Sequence, residues 1–502
     1  MKVIACATYE GLEAKVVYVE STLTKGLPSF SVVGMPSSSI TESKERVKSA
    51  LLSNEFSFPP KRITINLAPS DLKKEGSQFD LSIALMIVLY LSKIDFSDWF
   101  VFGELGLDGI VKENNQLYPL ILSLANQGVI KKAIVPYTSL EKLSKIPNTE
   151  FYGVGTLSEA MELLKNLETA KPNKKISNIQ YPKIKVLDKD YFYMQDYEED
   201  FLDVKGQELA KRAALISACG FHNILFEGSP GCGKSMIASR LRYIMPPLSQ
   251  EEILDNAKLE SLEAKEPSFK PIRNFVSPHH TSTSASVFGG GSHKAKIGEV
   301  GLANGGILFF DELPHFSKSI LEALREPLQD GKIKISRVNS KIEYPSEFLF
   351  VGAMNPCPCG NLLNDVLECR CNELEIQRYK NRLSDPFLDR IDLNVFMQSV
   401  NHSDVSSISS KQMHEKVIDV HKIIKQRGQE TFTAKLSDKD IEKFCILDDE
   451  AQSVLDLAIS KFALTFRSIK KVQKVSRTIA DIDKSELIEK KHVLEALSYR
   501  RR

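Results

Sequence analysis

The sequence predicts an α/β protein, a doubly wound parallel sheet with a helical extension, preceded by a separate α+β unit. Three observations carry this. A glycine-rich loop, Gly228-Ser229-Pro230-Gly231-Cys232-Gly233-Lys234-Ser235, joins an apolar strand-like run to a helix-like run that opens at Met236. Four apolar residues, Ile307-Leu308-Phe309-Phe310, end in two carboxylates, Asp311 and Glu312. Strand-like and helix-like runs alternate between 196 and 398, and every periodic stretch beyond is helical.

Taken in order, residues 1–168 read as an α+β domain. Alternating runs at 14–20 and 62–67 are strands, and 37–52 and 81–91 are helices. The run 81–91 is the longest apolar stretch, too short to span a bilayer and flanked by Asp80 and Lys93. Residues 169–195, rich in lysine and proline, read as a linker. Residues 196–398 form the α/β core and 399–502 a helical lid, with apolar residues at three- and four-residue spacing across 451–482. A length of 502 residues accommodates about three such domains. The net charge of +1 requires any nucleic-acid contact to come from local basic clusters. The N-terminus, with Glu10 close behind a brief apolar stretch, is a poor signal peptide. The expectation is a soluble cytoplasmic protein with no membrane contact.

The glycine loop has the spacing of a phosphate loop. Its backbone N–H groups would converge on phosphate oxygens at a helix N-terminus. Gly228, Ser229, Pro230, Gly231, Cys232, Gly233, Lys234, Ser235 and Met236 are therefore the expected nucleotide contacts. Lys234 would reach the β- and γ-phosphates, and Ser235 would hold Mg²⁺. Asp311 would orient the metal or its waters, and Glu312 would polarise the attacking water.

Four of the eight cysteines are scattered, and Cys357, Cys359, Cys369 and Cys371 form two Cys-x-Cys pairs. In a reducing compartment they could give four thiolates to one structural Zn²⁺, although the usual pair spacing is wider; the alternative is four ordinary loop thiols.

Further residues narrow the type. Phe348-Leu349-Phe350-Val351-Gly352-Ala353-Met354-Asn355 is an apolar strand ending in Asn, and Asp385-Pro386-Phe387-Leu388-Asp389-Arg390-Ile391-Asp392 follows. With Pro278-His279-His280-Thr281, Asn304-Gly305-Gly306 and Asn355-Pro356-Cys357-Pro358-Cys359-Gly360, the chain resembles AAA+ ATPases of the magnesium-chelatase and MCM-helicase branch, and more closely the ComM/YifB family. The resemblance covers nearly the whole chain. It implies that Asn355 is the sensor near the attacking water and that Arg390 is an arginine finger inserted into a neighbouring subunit's site. A salt bridge of Arg390 to Asp389 or Asp392 is the alternative. Arg467 would be the lid sensor touching nucleotide in its own subunit, with Arg477 as the alternative. Val204, Gly206 and Gln207 would pack on adenine. A finger acting on a neighbour implies a closed ring, a homo-hexamer by family analogy.

Residues 1–168 resemble the domain shared by ribosomal protein S5 (its second domain) and Lon protease. Gln78 and Tyr118 stand where a Lon-type peptidase has its Ser and Lys, so no peptidase activity is expected. Two segments could face DNA in a ring channel: 277–296, with His279, His280, Lys294 and Lys296, and the hairpin-like run bearing Lys332, Lys334 and Arg337. The resemblance thus implies an ATP-driven motor on single-stranded or branched DNA. It would serve branch migration in homologous recombination during natural transformation, alongside recombination proteins. The rivals are a protein-remodelling ATPase of the magnesium-chelatase type and, disfavoured, a Lon-like protease.

Overall fold

The computed structural model describes residues 3–11, 13–91, 98–167, 169–173, 179–290, 296–336, 341–363, 367–400 and 403–500. The chain divides into two compact units, Met1–Gln180 with Leu254–Phe269, and Tyr181–Ile253 with Lys270–Arg502.

The first unit is a seven-stranded mixed sheet. Its order is Ser29–Val33, Arg62–Ala68, Glu13–Thr24, Val3–Glu10, Trp99–Val101, Lys132–Pro136 and Glu150–Val154. Both strands predicted there are present. The two helices fall at Ser38–Ser53 and Asp80–Val88, the latter continued by a short turn, Leu89–Leu91. Asp80–Val88 is buried on all sides, as expected of a helix without a polar face.

Residues 254–269 belong to this first unit although they lie between the two nucleotide motifs in sequence. The Tyr118 hydroxyl donates to the Leu254 carbonyl at 3.3 Å, and the Tyr118 and Phe269 rings meet edge to face at 5.4 Å. Lys142 bridges Glu113 at 3.2 Å and Glu266 at 2.7 Å. The α/β core expected at 196–398 is therefore interrupted, because this segment finds its apolar and charged partners in the first unit.

The second unit contains a five-stranded parallel sheet in the order Phe275–Val276, Ile307–Phe310, Leu349–Met354, Ile224–Gly228, Leu393–Met397. Alternate residues feed opposite faces. Phe226, Phe309 and Val351 join one core cluster, while Leu225, Phe310 and Phe350 join another. Both faces are covered, which is why these strands read as continuous apolar runs. The helices beyond 400 are Ser410–Gln426, Asp438–Phe444, Asp449–Phe462, Phe466–Ile482 and Lys490–Ser498. Their Met413, Val417, Leu455, Val475 and Ile479 share the first of these clusters, so lid and core form one body rather than two.

The expected linker is partly structured. Lys183–Val186 and Lys189–Phe192 pair antiparallel, and Leu248–Ser249 adds a third strand. Each strand is too short to show a period, and the third comes from a distant part of the chain.

Candidate active site

The inner strand Ile224–Gly228, between Leu349–Met354 and Leu393–Met397, delivers the phosphate loop to the carboxyl edge of the sheet, and the helix Lys234–Leu241 begins directly behind it. Gly231 and Gly233 take φ of +78° and +94°, which only glycine adopts freely. The Lys234 ammonium is buried and donates to the carbonyls of Gly228 at 2.6 Å and Ser229 at 2.9 Å. It also donates to Asn355 Oδ1 at 3.1 Å. The strand Leu349–Met354, paired directly with the loop strand, puts Asn355 there.

Ser235 Oγ donates to Asp311 Oδ2 at 2.8 Å, so the two groups expected to hold Mg²⁺ are adjacent oxygen donors at the same strand ends. A hydroxyl and a carboxylate so placed fit a hard cation that keeps several waters. The buried Ser229 Oγ has no hydrogen-bond partner among the described residues. Glu312 follows in a left-handed conformation, φ +49°, uncommon for a non-glycine residue and concentrated at functional sites. Its carboxylate lies 3.6 Å from His280 Nδ1.

His280 was expected to face DNA. The structure places it against Glu312, with the His279 ring 4.3 Å and the His315 ring 6.2 Å away. Pro278-His279-His280 leaves the strand Phe275–Val276, which pairs with the strand leading to Glu312, a neighbourhood that only the fold supplies.

The segment expected on adenine lies beside the loop. Gln207 Nε2 donates to the carbonyls of Cys232 at 3.2 Å and Gln398 at 2.6 Å. Gly206 N donates to the Val405 carbonyl at 3.1 Å, and Val204 is buried. Met236 is exposed on the first turn of the loop helix.

Arg390 lies elsewhere. Its Nε donates to the Arg325 carbonyl at 3.1 Å, and its Nη atoms to the Pro386 carbonyl and Gln329 Oε1, both at 2.5 Å. Among the described residues it makes no ion pair with Asp389 or Asp392. Those carboxylates take Arg467 at 3.1 Å and Lys471 at 3.5 Å. Burial, then the neighbouring Arg467 and Arg325, lower its pKa, the signature of a cation held among cations. A cavity of about 770 Å³ collects Arg325, Arg390, Arg467, Lys471 and Arg500 against three aspartates, and no phosphate-loop residue lines it. Arg467, expected to touch nucleotide in its own subunit, pairs here with Asp389 and lines this cavity, with no phosphate-loop residue beside it. The lid helix Phe466–Ile482 starts beside Asp389 and holds Arg467 with Arg390. Arg477 is buried on Asp481, 2.9 Å away, and on the carbonyls of Ser485 and Glu486, a structural role.

The four grouped cysteines converge. Their Sγ atoms lie within 4.8 Å of one another, with Cys357–Cys359 at 3.4 Å, Cys359–Cys369 at 3.6 Å and Cys357–Cys369 at 3.7 Å. Backbone N–H groups of Asn361 and Arg370 bring the Cys359 thiol down to about 6.

Of the remaining basic residues, Lys296 lies on the strand Lys296–Ile297, paired with Gly289–Gly290. Lys332 and Lys334 share an exposed face of the strand Lys332–Ser336, and Lys332 is bridged to Glu343 at 2.7 Å. Lys294 and Arg337 lie outside the described residues. In the first unit, buried Gln78 donates to the carbonyls of Ala7 and Glu75, and Ser77 Oγ to Glu104. Burial raises the Tyr118 phenol. No activated hydroxyl–amine pair is present among these residues. No described helix is long and apolar enough to cross a membrane.

A parallel sheet with its phosphate loop on an inner strand, a polar Asn at the end of the neighbouring strand, an acidic pair one strand further, and a helical lid on the same core define an AAA+ ATPase module. Family comparison agrees. Residues 200–405 match the family described as "Magnesium chelatase, subunit ChlI", 19–139 match "Subunit ChlI of Mg-chelatase", and 407–500 match "Magnesium chelatase, subunit ChlI C-terminal". The chain is 38% identical to Competence protein ComM of Haemophilus influenzae and 36% identical to protein YifB of Escherichia coli, each over 98% of this chain and 95% of the relative. It is 23% identical to the magnesium-chelatase 67 kDa subunit of Heliobacterium mobile over 30% of this chain and 27% of that one. The chain belongs to the ComM/YifB family of magnesium-chelatase-like AAA+ ATPases.

Proposed function

We propose that the chain is a cytoplasmic ATP-driven motor that assembles as a ring, a hexamer by family analogy, and moves single-stranded or branched DNA. Branch migration during recombination of incoming DNA is the task that best fits likeness to a competence protein. The carrying observation is the division of the machinery: Lys234, Ser235, Asp311, Glu312 and Asn355 converge, while Arg390 and Arg467 share a different cavity. On this reading a guanidinium stabilising the transferring phosphoryl group comes from a neighbour.

Lys234 holds the β- and γ-phosphates on the loop. Ser235 and Asp311 would bind Mg²⁺, which neutralises charge on bridging phosphate oxygens. Glu312, freed from His280, accepts hydrogen bonding from the attacking water, and Asn355 fixes that water's position. Arg390 and Arg467 of the adjacent subunit meet the charge developing on the phosphoryl oxygens. Lys296 and the exposed Lys332 and Lys334 would touch DNA phosphates without reading sequence.

The test is the ATPase rate with and without single-stranded DNA, for the native chain and for Glu312→Gln, joined to strand exchange on a four-way junction. A DNA-stimulated rate lost in the variant supports the motor. Indifference to DNA, with stimulation by a protein, supports the magnesium-chelatase type of remodelling suggested by the family matches. Gln78 and Tyr118 disfavour a Lon-like protease.

A further inference from the structure

The cysteine turn rests on the phosphate loop. Gly360, between the two cysteine pairs, has φ +82°, and a Cβ built on it would come 2.6 Å from Cδ and 2.7 Å from Cγ of Pro230. The ring of the loop's proline is thus seated directly on this glycine. Both ends of the turn also run into the nucleotide site. Upstream, Asn355 stands two residues before Cys357 and accepts from Lys234. Downstream, Asn372 follows Cys371 and caps the helix Glu373–Lys380 with a reciprocal box to Glu375. That helix ends in Lys380, 3.3 Å from Glu227 Oε1 on the phosphate-loop strand, an ion pair without hydrogen-bond alignment.

The thiols themselves have the spacing of one tetrahedral ion. A Zn–S bond of about 2.3 Å requires neighbouring sulfurs to be roughly 3.8 Å apart. The observed separations of 3.4, 3.6 and 3.7 Å are close to that, and the Cys359 amide donates to Cys371 Sγ at 3.4 Å. Four-sulfur sites of this shape take zinc or iron.

We propose that Cys357, Cys359, Cys369 and Cys371 bind one structural Zn²⁺, and that this metal fixes the turn on which the phosphate loop lies, so that nucleotide affinity depends on zinc. The inference rests on the reading of that loop as the ATP site. The metal closes a turn that no other cross-link closes among its described residues. Losing it lets Gly360 drift from Pro230, and the loop must then be ordered at the expense of nucleotide binding.

The full-length chain is analysed for zinc and iron, and its affinity for a fluorescent ADP in excess Mg²⁺ is measured. The same measurements follow on chain stripped by a zinc chelator, on stripped chain given back zinc, on Cys369→Ser/Cys371→Ser, and on Gly360→Ala. The expected result is one zinc per native chain and ADP affinity lower by about tenfold or more in the stripped and double-serine proteins. Restoration follows zinc return. Gly360→Ala keeps its zinc yet binds ADP more weakly, because its methyl group meets Pro230. Absence of zinc, or iron in its place, overturns the metal assignment. Equal ADP affinity with and without zinc overturns the brace. Native chain that carries zinc but binds no ADP overturns the ATP reading and the brace with it, while the metal assignment stands.

Discussion

Glu312 is held in a left-handed turn at the end of a buried strand, with Asp311 before it already engaged by Ser235. That geometry separates the carboxylate proposed to bind metal from the one proposed to polarise water. Glu312→Gln should keep nucleotide affinity and lower kcat by about 10² to 10⁴. Asn355→Ala should also lower kcat with ADP affinity retained, since Lys234 keeps its two loop carbonyls. Steady-state kinetics with an ADP titration distinguish both from a binding defect. These residues were legible in the sequence because each lies in one contiguous motif with its strand. His280 and Arg467 were not, because their positions depend on which strand and helix lie beside them, and no local pattern reports that. The finger role expected of Arg390 comes from the family resemblance, and only the fold shows that Asp389 and Asp392 pair with Arg467 and Lys471 instead.

The helix Ser410–Gln426 carries two buried imidazoles, His414 and His421, and His222 lies buried near the helix Phe466–Ile482. Burial lowers His222 and His414 to about 4 and His421 to about 3. Released on unfolding, each would titrate near 6.5. Below that pH the unfolded chain binds protons that the fold refuses, so stability falls as pH drops from 6.5 toward 4. The slope is up to about 1.4 kcal/mol per pH unit for each group. Urea unfolding at pH 7.5 and 5.0 should show a lower midpoint at pH 5.0, and His421→Phe should flatten the difference. Sequence reading assigned the lid helices from their periodicity. The spacing across 451–482 does not mark the break where Ala463 at φ +47° and the Thr465 cap divide the stretch into two helices. The hairpin at 183–192 was taken for linker because four-residue strands offer too little pattern to weigh against a lysine-rich composition.

Over the whole molecule, the catalytic half-site and the arginine cavity belong to the same unit yet share no lining residue. If neighbours complete one another, Arg390→Ala and Glu312→Gln should each be inactive alone. Mixed in equal amounts they should regain activity, since about one random interface in four pairs an intact glutamate with an intact finger. A mixture as inactive as its components would oppose the ring. The allegiance of 254–269 was not readable. Its partners Tyr118 and Lys142 lie more than a hundred residues away.

That borrowed segment governs how the protein can be dissected. A truncation begun at Tyr181 would keep Leu254–Phe269 while discarding the rest of its unit, including Tyr118, and would expose Phe269 to water. Such a fragment should precipitate or bind chaperones, whereas one that also replaces 254–269 with a short glycine–serine bridge should remain in solution and keep its ADP affinity. Comparative yield and light scattering of the two fragments would decide it. Loss of ATPase activity after the simpler deletion would therefore report a wound in the remaining fragment, and not the duty of the missing domain.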